Sequence, residues 1–171
     1  MNRSVSIIIA GAVIATTVFV VGYFWLKNRS RPPQIEQTLA IIKPDAVRAH
    51  HTGKIIDRIE QEGYTIIDMR KVSLEREQGE KLYERSKNKT NFHELVDFMT
   101  TGPIVILILE KLNAISAFRD LMGDADPNKA THNALRKLFG TSTSKNAVHG
   151  SEDAETAERE IKFFFADRGR R

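Results

Sequence analysis

The sequence predicts one α+β or α/β domain in which four strands alternate with helices, set behind an uncharged apolar stretch at the N-terminus. Three observations carry this. Ile104 to Leu109 is apolar at every position, the pattern of a central strand covered on both faces. Phe92, Leu95, Val96 and Met99 recur at i, i+3, i+4 and i+7, and Ile115, Phe118 and Leu121 repeat the device, so each set forms the inward stripe of a helix. Two further apolar runs end in chemically loaded motifs, Lys43-Pro44-Asp45 and Val148-His149-Gly150.

Composition narrows the class. A chain of 171 residues that is 41% apolar is the size of one domain with a proper core. Without cysteine there is no disulfide, thiolate nucleophile or Cys-bound zinc. The formal charge of +4 is small and interspersed with acids, which argues against a specific nucleic-acid partner and suits a polyanionic small molecule.

In chain order, residues 1–4 are a short tail and residues 5–26 carry no charge, ending in Tyr23-Phe24-Trp25-Leu26. About 20 apolar residues span a bilayer as a helix, so this segment reads as a single transmembrane anchor. A cleaved secretory signal is the rival reading, but a basic flank follows in place of a small-residue cleavage site. Lys27, Arg29 and Arg31 outnumber Arg3, which places the C-terminal domain on the cytoplasmic side of a membrane. Residues 27–35 form a basic, proline-containing linker, 36–166 the folded domain and 167–171 a basic tail.

Within the domain, Thr38 to Val47 reads as a buried strand ending in Lys-Pro-Asp, followed by a polar loop over 48–52. Gly53 opens a helix with Ile55, Ile56 and Ile59 on one face, and Gly63 stops it. Thr65, Ile67 and Met69 alternate at period two, a strand. Ser73 is placed to cap the helix carrying Leu74, Leu82 and Tyr83, and Asn91 with Glu94 has the spacing of a capping box. The polar segment 123–145, broken by Leu135, Leu138 and Phe139, is long for a connection, as functional loops are. The last helix turns Ala154, Ala157, Ile161 and Phe164 inward.

His149 sits where a strand gives way to a helix. An imidazole is in part neutral near pH 7, so a ring nitrogen can attack phosphorus without a strong base beside it, and helix-terminal amides nearby favour an incoming anion. Lys43, at the exit of its strand, can meet phosphate. His50-His51 is a pair in a predicted loop with no third ligand at zinc spacing, and His93 and His132, in polar surroundings, read as surface residues.

The Ile-Ile-Lys-Pro-Asp-Ala-Val run and, far downstream, Asn146-Ala147-Val148-His149-Gly150-Ser151, with Tyr and Arg between them, resemble the nucleoside diphosphate kinase family from about Gln37 to Phe165. The resemblance implies a ferredoxin-like sandwich, a four-stranded antiparallel sheet covered by helices, with the two motif strands near its middle. It implies a ping-pong transfer in which His149 takes the γ-phosphoryl of ATP or another nucleoside triphosphate and passes it to a nucleoside diphosphate. Mg²⁺ would be carried mainly by the nucleotide phosphates.

By the same resemblance Lys43 contacts the γ-phosphoryl and the ribose, Asn146 the sugar, and Arg119 and Arg136 the phosphates. Tyr83 orients Lys43 or the transferred group, Ser151 and Glu160 steady the histidine, and Gly150 leaves room for the phosphorylated ring. The nucleotide site also includes Asn91, Phe92 and Ala125, where this chain departs from the family. Asn91 stands for a base-stacking Phe, with Phe92 beside it on the core stripe, and Ala125 stands for a phosphate-touching Thr. Thr131-His132-Asn133-Ala134 replaces a Pro-Gly loop that builds trimer contacts, so a homo-oligomer is expected, with a dimer favoured over a hexamer. A membrane-tethered nucleotide-binding scaffold with little turnover, or phosphotransfer to a protein, are the alternatives.

Overall fold

A computed structural model describes residues 34–168. The apolar stretch at residues 5–26 and most of the linker lie outside them, and among the described residues no helix is long and apolar enough to cross a membrane.

Strand β1 (Ile35–Ile42) leads into α1 (Pro44–Arg48), α2 (Thr52–Gln61) and β2 (Thr65–Ser73). Helix α3 (Arg76–Leu82), a 3₁₀ turn (Glu84–Ser86) and α4 (Phe92–Met99) follow. Strand β3 (Pro103–Leu112), α5 (Ala114–Met122), α6 (Leu135–Phe139), β4 (Val148–Gly150) and α7 (Ala154–Phe164) complete the domain. The sheet order is β2-β3-β1-β4 and every pairing is antiparallel, the arrangement of a ferredoxin-like α+β fold. Both faces are covered. Leu39, Ile41, Ile106 and Ile108 pack against Leu82 of α3 and Phe98 and Met99 of α4. Ala40, Ile42, Leu107 and Leu109 pack against Ile55 and Ile59 of α2 and Phe118 of α5. Strand alternation delivers the two sets to opposite sides.

Several expectations are corrected. The first strand stops at Ile42, because Pro44 opens a helix at N1, where its fixed φ suits the turn and its missing N–H is no loss. The two motif strands do not both lie mid-sheet: β1 is interior, but β4 has three residues, pairs only with β1 and forms an edge. Thr65, Ile67 and Met69 do not share a face, since a bulge between Ile66 and Asp68 breaks the alternation and leaves Met69 51% exposed.

The caps also shift. Glu75, not Ser73, precedes α3, its N–H donating to the Gln78 side chain at 2.9 Å. Asn91 stands at the N-cap of α4 without a side-chain cap bond, and Glu94 instead accepts from Ser144 Oγ at 2.6 Å. Asp153 caps α7 by accepting from the Thr156 N–H at 2.7 Å. This start turns Thr156, Ala157 and Glu160 inward and leaves Ala154 exposed.

Gly150 explains itself differently from the sequence reading. Its pairing with Ala40 puts it on the α5 side of the sheet, away from the His149 ring, and a Cβ there would lie 2.6 Å from the Phe118 ring. Gly150→Ala is expected to destabilise the fold by about 1–3 kcal/mol through overpacking, read as a lower urea midpoint. Gly53→Ala, where an added Cβ meets nothing within 4 Å, is expected to be neutral or stabilising.

Candidate active site

The two motifs meet at Ala147. The Lys43 N–H donates to the Ala147 carbonyl at 2.8 Å, and the Ala147 N–H donates to Asp45 Oδ2 at 3.0 Å. Ala147 sits at φ 67°, a left-handed conformation that costs a non-glycine residue about 1–2 kcal/mol. The two bonds hold it there. Lys43 Nζ then donates to Asn146 Oδ1 at 2.7 Å, joining residues 103 apart. Asn146 Nδ2 donates to the carbonyls of Ala125 at 3.0 Å and Thr143 at 2.9 Å, so the whole amide is engaged within the chain.

His149 pairs with Ile41 across the β4–β1 ladder and therefore shares the face covered by α3 and α4. Its Nε2 lies 3.4 and 3.5 Å from the two Glu160 oxygens, at the outer limit of hydrogen-bond reach. Glu160 is buried in the second turn of α7, accepts from Ser151 Oγ at 2.7 Å and lies 3.7 Å from Arg159 Nη2. Burial alone would raise its pKa. The hydrogen bond and charge of His149, the Ser151 hydroxyl and the Arg159 cation outweigh burial and leave it lowered, so the carboxylate is ionised. An ionised acceptor on Nε2 favours the tautomer with its proton there, which leaves the lone pair on Nδ1. Tyr83 meets the His149 ring edge-on, with centroids 6.0 Å apart. Its hydroxyl is buried with no hydrogen-bond partner among the described residues, and burial followed by the Glu160 charge raises its pKa, so it remains a phenol.

Cations gather on the same site. Lys43 is 4% exposed, and burial followed by the Arg136 charge lowers its pKa to about 8 against the opposing pull of Asp45. Arg136, in α6, donates to the Gly123 carbonyl at 2.9 Å and to the Val148 carbonyl at 3.4 Å, while its buried Nε has no partner among the described residues. Burial and then the charge of Arg119, exposed at the end of α5, lower the Arg136 pKa. Cations placed so that Arg119 acts on Arg136 and Arg136 on Lys43 make a positive site suited to an anion.

A cavity of about 150 Å³ opens beside His149, lined by Tyr83, Arg85, Lys89, Glu152, Arg159 and Glu160 among others. A larger one, about 440 Å³, carries three glutamates, two lysines, Phe92 and His93 and none of the His149 cluster. Its carboxylates outnumber its cations, which is the wrong balance for a polyphosphate.

The remaining candidates are placed less directly. Ala125 is exposed and enters through its carbonyl. Phe92 is buried with its ring against His93, and Asn91 is exposed. The Glu94–Ser144 bond ties their end of α4 to the loop that carries Asn146. Asp45 and Arg159 were assigned no part by sequence reasoning. Asp45 stood inside a quoted motif, but a contact to a distant backbone amide has no sequence pattern, and Arg159 carried no signal beyond its place next to Glu160. Among the described residues no group of three or more His, Cys, Asp or Glu side chains is placed to hold a metal ion.

Comparison with known proteins agrees with this geometry. The family description "Nucleoside diphosphate kinase" matches residues 36–169. The chain is 48% identical over 134 residues to a nucleoside diphosphate kinase of a Nitratiruptor species, covering 78% of this chain and 98% of that protein. It is 47% identical over 133 residues to that of Histophilus somni (strain 2336), covering 78% and 94%. In structure it is similar to the Aquifex aeolicus nucleoside diphosphate kinase, with a TM-score of 0.76 at 38% identity over 77% of this chain and 96% of that one. The motif residues, the sheet order and these relatives converge, and the chain belongs to the nucleoside diphosphate kinase family.

Proposed function

We infer that this chain transfers the γ-phosphoryl group of a nucleoside triphosphate to a nucleoside diphosphate through a phosphohistidine at His149. The observation that carries this is the His149–Glu160 pair on one side of a cluster of three mutually repelling cations. The His149 Nδ1 lone pair attacks the γ-phosphorus, the bond from that phosphorus to the β–γ bridging oxygen breaks, and the nucleoside diphosphate leaves with those electrons. A terminal β-phosphate oxygen of the second diphosphate then attacks the phosphohistidine and returns Nδ1 to its free state. Mg²⁺ carried by the nucleotide would offset phosphate charge alongside Lys43, Arg119 and Arg136.

The residues divide the work. Lys43, Arg119 and Arg136 neutralise the phosphates, and the unpartnered Arg136 Nε and Tyr83 hydroxyl are donors open to phosphoryl oxygens. Glu160, held by Ser151, orients the ring and offsets the positive charge that grows on it as the phosphorus–nitrogen bond forms. Asn146 holds Lys43 in place before nucleotide arrives, and a sugar hydroxyl can exchange for one of its internal partners. Ile35 and Leu112, paired across β1 and β3 at 75% and 50% exposure, give an apolar patch suited to self-association as a homo-oligomer. The uncharged stretch at residues 5–26 is the basis for a single-pass anchor with the domain on the cytoplasmic side.

Three tests follow from this reading. Full-length protein incubated with Mg²⁺ and γ-labelled ATP is expected to take up acid-labile label that moves to GTP on addition of GDP, and His149→Ala to take up none; transfer by purified His149→Ala overturns the assignment.

Lys43 is charged at pH 7, so kcat/KM for ATP is expected to fall as pH rises through about 8. Because the folded pKa lies below the unfolded value of 10.5, the unfolded chain holds the extra proton between them, and stability rises with pH across that window. Urea midpoints between pH 8 and 10 check this, and Lys43→Met is expected to lose that slope.

For the anchor, full-length protein is expected to stay with membranes through an alkaline carbonate wash, and a chain beginning at residue 34 to be released.

A further inference from the structure

Tyr83, in the turn after α3, and Glu160, in α7, approach His149 from different elements, and something must fix the distance between them. The Tyr83 hydroxyl, buried without a partner among the described residues, does not. The position of the ring therefore depends on packing and on the backbone that carries it. That backbone is a tight turn, closed by the Ser86 N–H donating to the Tyr83 carbonyl at 2.7 Å. At its centre is Arg85.

The Arg85 side chain leaves its own segment and grips the first turn of α7. Nη1 donates to Thr156 Oγ1 at 2.7 Å and to Asp153 Oδ2 at 3.1 Å, and Nη2 lies 2.7 Å from Glu155 Oε1. Thr156 is buried, so its hydroxyl needs a partner that stays, and Asp153 is the α7 cap. A cation at a helix N-terminus is opposed by the helix dipole, so the contact is not explained by stability of α7 alone. An exposed ion pair is worth little by itself, but one planar guanidinium with three acceptors restricts a side chain once for several bonds. Further contacts between these helices are weaker: Arg159 Nη1 reaches the Lys81 carbonyl at 3.5 Å, and Lys81 Nζ lies 5.2 Å from the centroid of the Phe163 ring.

We propose that Arg85 is a positioning residue for phosphoryl transfer, a latch that fixes Tyr83 and Glu160 on either side of His149 by tying the turn after α3 to the start of α7. The proposal rests on His149 being the nucleophile. It requires no contact between Arg85 and substrate, although Arg85 lines the cavity beside the histidine. Small misplacements around a reacting atom are costly, so losing the latch slows the chemistry more than it weakens binding.

The test uses full-length protein in mild detergent and compares Arg85→Met, Arg85→Lys, Glu155→Gln and the Arg85→Met/Glu155→Gln pair. Read-outs are the single-turnover rate of His149 labelling at saturating ATP, ADP affinity by calorimetry, and hydrogen exchange at the Thr156 amide. Arg85→Met is expected to slow labelling about tenfold with ADP affinity within about twofold, and to speed exchange at Thr156. Arg85→Lys is expected to recover part of the rate, and the double variant to be no slower than Arg85→Met alone, since both remove one linkage. Labelling by Arg85→Met at the wild-type rate overturns the proposal. So does a loss of ADP affinity in Arg85→Met with Glu155→Gln unaffected, which marks Arg85 as a direct phosphate contact. If wild-type protein takes up no label, the phosphohistidine reading fails, and unchanged Thr156 exchange in Arg85→Met overturns the latch independently.

Discussion

The site depends on the clip at Ala147. Two chain segments 103 residues apart in sequence meet through a left-handed residue that neither segment would hold alone. Asp45 accepts its N–H and Lys43 donates to its carbonyl, so the motif after β1 determines the path of the motif before β4. Everything that faces the phosphate inherits that path: Asn146 on one side of the turn reaches Lys43, and His149 on the other is handed to Glu160. Because β4 is a three-residue edge strand, ladder bonds alone would hold it weakly, and the clip supplies what the missing neighbour does not.

Electrostatics then separates the two halves of the site. On the α7 side an ionised, buried Glu160 stabilises positive charge on the ring. On the α5–α6 side the charge of Arg119 lowers the proton affinity of Arg136, and that of Arg136 lowers the proton affinity of Lys43. The fold tolerates this repulsion because backbone carbonyls of Gly123 and Val148 solvate the Arg136 guanidinium and the Asn146 amide oxygen receives the Lys43 ammonium. These are neutral acceptors. They hold the cations without cancelling their charge, which stays available to an incoming polyanion. A carboxylate in either place would stabilise the empty site and compete with phosphate.

Much of this architecture was legible in the residues. The continuous apolar run at Ile104 to Leu109 is the central strand β3, and the stripes at Val96 and Met99 and at Phe118 are core as their period requires. What the residues did not disclose depends on contacts without a local pattern. The bulge that turns Met69 outward is a matter of register against β3. The Asn91–Glu94 spacing has the form of a capping box, but Glu94 finds the Ser144 hydroxyl and no cap forms. Gly150 was read against the histidine ring, yet a side chain from the opposite face of the sheet, Phe118, requires it. In the site, residue types announced the chemistry, and the geometry added contacts with no sequence pattern, those of Asp45 to the Ala147 amide and of Arg85 to the start of α7.

The same distinction bears on Ala125 and Asn91, two of the positions where the resemblance implies a different residue. Ala125 has lost a hydroxyl, but the structure uses this position through its main-chain carbonyl, which accepts from Asn146 whatever the side chain is. The substitution therefore removes one possible donor to phosphate and leaves the support of Asn146 and Lys43 in place. At Asn91 the side chain is exposed and makes no cap bond, while the neighbouring Phe92 is committed to the interior against His93. At the start of α4 the Phe92 ring is therefore turned to the interior, and Asn91 offers no aromatic face in its place. Lys43, Arg136 and His149 lie on elements other than α4, so the hydrogen bonds that place them do not run through Asn91 or Phe92.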